Sequence, residues 1–107
     1  MNPNDVPEIE NDQEALAVDI ETAKTHIKTG DAIKRLYKNP DFIHVVGREY
    51  FQSEAIRLVS LMSEPSQQSP EDQAMLNKRM YSISLFQDYL SDKLTQAKLM
   101  EDAMPEY

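Results

Sequence analysis

The chain has 107 residues, 40% hydrophobic and 28% charged, with a formal net charge of −8 and no cysteine. This balance argues against wholesale disorder, and the length suits one domain with a thin core. The missing thiols exclude disulfides, cysteine-type zinc sites and thiol nucleophiles, while neither a signal-peptide start nor an apolar run of about 18 residues occurs, so a soluble protein of the cytoplasm is expected.

The acids crowd toward the amino end. Asp5, Glu8, Glu10, Asp12, Glu14, Asp19 and Glu21 precede the first base, and from Lys24 onward there are eleven bases and twelve acids. Such a field repels phosphates and favours basic partners. Residues 1–11, with Pro3 and Pro7 and few apolar groups, are expected to form a flexible acidic arm, residues 12–104 a single helical domain, and residues 105–107 a tail.

The first long segment, Asp12 to Tyr37, places Leu16, Ile20, Ala23, Ile27 and Gly30 alternately four and three apart, which lays one stripe along a helix. At Gly30 the stripe shifts to Ile33, Leu36 and Tyr37. A helical glycine costs about 1 kcal/mol against alanine, so either a close helix–helix contact or a break is expected there. Asp12 and Glu14 at the start and Lys34, Arg35 and Lys38 at the end suit the helix dipole.

Asn39-Pro40-Asp41 predicts a second helix, because asparagine caps orphan N–H groups and proline suits the first helical position. Apolar residues surround most of this segment up to Met62, which predicts the most buried part of the chain, with Phe42, Tyr50, Phe51, Ile56, Leu58 and Val59 as its core. Gly47, beside Val45 and Val46, predicts a bend or a short helix followed by a longer one. The polar stretch from Ser63 to Ser69 reads as a loop.

Ser69-Pro70-Glu71-Asp72 resembles a capping box, with Asp72 in the reciprocating position. A third helix is predicted from there, with a stripe of Leu76, Met80, Ile83, Phe86, Leu90, Leu94, Ala97 and Met104. Its roughly 34 residues would span about 50 Å, so part of it is expected to project or to pair with another copy. The fold class predicted is all-α: an antiparallel helical hairpin or three-helix bundle with two long helices and a bent middle helix.

Catalytic chemistry finds no foothold in these residues. His26 and His44 lie in different predicted helices without a metal-binding spacing, no GxSxG elbow occurs, and glycine is too scarce for a phosphate loop. Glu49, Glu54, Asp88 and Asp92 lack the Glu-x-x-His pairs of di-iron bundles. No catalytic residue, metal or cofactor is expected. The basic run Lys24, Lys28, Lys34, Arg35 and Lys38 is short and lacks a recognition motif, so nucleic acid is not an expected partner; the run reads as a protein-binding surface that attracts an acidic arm. Met100, Met104 and Tyr107 form a second candidate docking patch, methionine being an adaptable contact residue.

The ordered set N-P-D-F (Asn39 to Phe42), Y-F-Q-S-E-A-I-R-L-V-S-L-M (Tyr50 to Met62), E-P (Glu64, Pro65) and Q-S-P-E (Gln68 to Glu71) resembles the small acidic helical proteins encoded near virion genes in tailed bacteriophages. The likeness covers the middle third and the start of the last helix. It departs at one point: the family places a glycine directly before the aromatic pair, where this chain has Glu49, with Gly47 two positions earlier. The resemblance carries no catalytic residues and implies an accessory role in particle assembly.

The expected function is therefore that of a non-enzymatic phage protein that binds phage or host proteins during virion assembly, as a scaffold-like, chaperone or minor structural component. It would act as a homo-oligomer in the host cytoplasm or in the virion. An alternative from the acid surplus is an inhibitor of a host nucleic-acid-processing or defence complex, although such a mimic should spread its acids over the folded surface.

Overall fold

The computed structural model describes the backbone of residues 8–104 and the side-chain surroundings of residues 19–104. Its elements are α1 (Glu8–Leu36), α2 (Pro40–Phe42), a π-helix (Ile43–Glu54), α3 (Ala55–Met62), a 3-10 turn (Pro65–Gln67) and α4 (Pro70–Ala103). The chain is all-α, with no strand among the described residues. α1 begins at Glu8, inside the stretch expected as an arm; residues 1–7 and the expected tail lie outside the described residues.

The described chain divides into two compact units, one made of residues up to Asp31 with those from Lys93 on, the other of Ala32–Asp92. The first unit packs through small residues. Ala23, Gly30 and Ala97 are buried, and a Cβ placed on Gly30 would overlap the Cβ of Ala97 on α4. α1 runs through Gly30 without interruption, so of the two expectations at this position the close helix–helix contact is the one realised. The missing side chain lets the two backbones approach, which offsets the glycine's poor helix propensity.

In the second unit, Leu58, Leu76 and Ile83 form the buried cluster, with Tyr50, Phe51, Leu61, Met62 and Met80 packed around it. Three rings interlock at its edge: Phe86 lies 5.6 Å from Phe51 and 6.2 Å from Tyr50 between centroids, all tilted, within the range of favourable edge-to-face pairs. Ile33 and Leu90 are buried as well.

The start of the middle stretch follows the sequence reading. The Asn39 side chain accepts from the backbone N–H of Asp41 at 2.9 Å and of Phe42 at 3.2 Å, with Pro40 in the first turn. From there the backbone stays right-handed helical through the junctions at Phe42, Ile43, Glu54 and Ala55. The local weakness around Val45 to Gly47 takes the form of wider winding, over twelve π-helical residues. Phe42 and Ile43, Val46 and Gly47, Tyr50 and Phe51, and Glu54 and Ala55 are half-buried pairs that lead to Leu58, with exposed residues between them. This is a repeat of four residues. At 3.6 residues per turn such a repeat would drift by about 40° each time, and a wider turn removes that drift.

α3 corrects part of the expected core. Leu58 is 0% exposed, but Ile56 is 68% and Val59 59% exposed. The helix was expected to be covered on most sides, whereas only the face carrying Leu58 packs on the cluster; two residues away along an α-helix points to the opposite side. Phe42, Tyr50 and Phe51 are half-buried rather than sealed.

The loop after α3 is fastened by two glutamines. Gln68 Nε2 donates to the carbonyls of Met62 (2.9 Å) and Glu64 (2.7 Å), and Gln73 Nε2 to those of Met62 (3.1 Å) and Gln67 (2.8 Å). Helix ends leave such carbonyls without intrahelical partners, and α3 has no terminal glycine to satisfy them. Ser69 then caps α4, its hydroxyl accepting from Asp72 N–H at 3.1 Å. α4 is continuous over 34 residues.

Candidate functional site

The predicted basic run is divided between the units. Lys24 and Lys28 are exposed in the first, with Lys24 Nζ 3.8 Å from Glu21; Lys34, Arg35 and Lys38 are exposed in the second, around the end of α1. An exposed ion pair of this kind contributes little to stability. Met100 and Met104 do come together. They are half-buried and line an open, mainly apolar cavity of about 310 Å³ in the first unit with Ile20, Ala23 and neighbouring residues. Tyr107 lies outside the described residues.

The two histidines lie on different elements, His26 on α1 and His44 on the π-helix. His26 is half-buried, its Nε2 3.3 Å from the side-chain nitrogen of Gln96, which donates to the ring when that nitrogen is unprotonated. His44 is exposed on the π-helix. Among the described residues no group of three or more His, Asp or Glu is placed to hold a metal ion, and no helix is long and apolar enough to cross a membrane. Glu54 makes a two-point contact with the Arg57 guanidinium, one bond being Nε to Oε2 at 2.9 Å. That hydrogen bonding holds its carboxyl below the usual range, partial burial opposes the shift, and the positive charges of Arg57 and Arg79 add to it.

Large apolar side chains stand on outward faces of the second unit. Ile56 and Val59 do so on α3; on α4, Tyr81, Leu85 and Tyr89 recur every four residues and are exposed, Tyr81 at 65%. Ile83, between Tyr81 and Leu85, is buried. Each helix thus carries apolar groups on a packed face and on an open one, and a sequence stripe cannot tell which face meets the neighbour.

A second cavity, of about 350 Å³, opens in the same unit. Tyr37, Phe42 and Phe51 give it three rings, Ile43 and Gly47 of the π-helix line it, and Gln87 and Ser91 of α4 supply the polar groups. Tyr37 and Phe42 are 5.9 Å apart and tilted by 44°. Sequence reading treated the aromatics as core and Gly47 as a bend. Ile43, Gly47 and Phe51, four residues apart, share a helix side at either winding; what was not legible is that Tyr37, just past α1, and Gln87 and Ser91 of α4 meet that side.

No family model matches the chain, and no curated protein or solved structure matches it.

Proposed function

We propose that this chain is a non-enzymatic bacteriophage accessory protein that binds other proteins through its helices during virion assembly. The observation that carries the reading is the double-sided apolar character of α3 and α4: Leu58 and Ile83 are sealed while Ile56, Val59, Tyr81 and Leu85 face outward. Outward apolar groups recurring along a helix suit contact with another protein, and the exposed tyrosines belong to a residue type that anchors interfaces. The resemblance around Asn39 to Glu71 supplies the assembly setting.

Quantitative mass spectrometry of assembly intermediates and finished particles from infected cells tests this. The protein should be enriched with proheads or particles, and crosslinks captured before maturation should fall on α3 and α4. Absence from every intermediate, combined with recovery on a host polymerase, nuclease or defence complex, would replace assembly by inhibition of host machinery.

A further inference from the structure

The chain's two glycines stand in contrasting surroundings. Gly30 is explained by packing, since a Cβ there would strike Ala97; at Gly47 a Cβ would meet nothing within 4 Å. A glycine inside a helix is unfavourable against alanine, and neither positive φ nor a close neighbour accounts for this one. What it does is leave the backbone of the π-helix bare where that backbone lines the cavity of about 350 Å³. Glycine is the residue that admits close approach of a ligand to the main chain, and π-helical turns concentrate at functional sites.

The lining specifies the ligand. No charged side chain contributes to it, so a bound ion would be desolvated without a partner. Tyr37, Phe42 and Phe51 offer ring faces and edges for a further ring. Gln87 and Ser91 lie one helical turn apart on α4, which puts an amide and a hydroxyl on the same side. The volume lies at the small end of the roughly 300–1,000 Å³ of ligand cavities. We infer that this cavity binds a neutral planar aromatic ring with a hydrogen-bonding group on its edge, such as an indole or a phenol, its face over Gly47 and its polar edge toward Gln87 and Ser91. The inference goes beyond the assembly reading and stands independently of it.

Protein-observed NMR titration of the full chain with indole, 4-methylphenol, toluene and benzoate tests it. Indole and 4-methylphenol should bind with dissociation constants on the order of millimolar, as befits fragments of this size, with shifts centred on the cavity residues. Gly47→Leu should weaken binding by about tenfold or more by filling the space. Gln87→Ala and Ser91→Ala, both at exposed positions where substitutions leave folding intact, should reduce indole binding toward the level of toluene. Capped tryptophan and tyrosine amides, run beside the free rings, distinguish a partner's side chain from a small molecule as the source. No saturable shift with any ring, binding indifferent to Gly47→Leu in the folded variant, or equal affinity for toluene or benzoate would each overturn the assignment.

Discussion

At Gly30 and Gly47 the same residue type answers to opposite constraints, and one substitution separates them. Gly30→Ala gains about 1 kcal/mol of helix propensity but forces two Cβ atoms into one space, and overpacking of that sort costs about 1–3 kcal/mol, so net destabilisation is expected in urea unfolding. Gly47→Ala meets no neighbour and should stabilise by about 0.5–1 kcal/mol. Glu54 answers to charge. Its native carboxyl titrates below the ordinary value because the Arg57 guanidinium donates to its ionised form. The stability it contributes is therefore present above the unfolded-state pKa and lost as pH falls through the lowered native one. The pair is exposed enough that the contribution is small. Carboxyl NMR titration should show the Glu54 midpoint rise toward the ordinary value in Arg57→Gln; an unmoved midpoint would contradict the pairing.

Elements were legible in the sequence where their signals are local. Asn39 before Pro40 and Ser69 before Pro70 each name a helix start, and both caps form. The end of α3 was not legible, because its carbonyls are held from a distance by Gln68 and Gln73, and glutamine has no turn signature. Gln73→Ala removes two of those bonds at a half-buried position and should cost about 1–2 kcal/mol by thermal or urea unfolding, more than an ordinary surface change. The π-helix escaped for a different reason. At 3.6 residues per turn Phe42, Ile43, Val46, Tyr50 and Phe51 already fall within one half of the helix surface, and a four-residue repeat only narrows that arc, so the apolar pattern does not separate the two windings. Ile56 and Val59 belong to α3, an ordinary α-helix, and were misplaced because an apolar run does not say which of its faces is packed.

At the scale of the molecule, the buried side chains among the described residues are a handful, all aliphatic, with large apolar groups left outside, in keeping with the thin core expected from the length. If the outward groups serve contact and not folding, Ile56→Lys with Tyr81→Lys should change the melting temperature little while abolishing co-purification with assembly intermediates. A parallel loss of melting temperature would make them structural. The wide winding between Ile43 and Glu54 also holds surplus contour: it takes up more chain per turn than its α-helical flanks. Deleting one amino acid from α4 would swing every later side chain by about 100° and scramble the match between Ile83, Leu90 and Ala97, but the same deletion within the π segment can be absorbed by tightening a single coil. Length variation by one codon is thus tolerable there and ruinous in the last helix, a contrast that a deletion scan read out by soluble yield would expose.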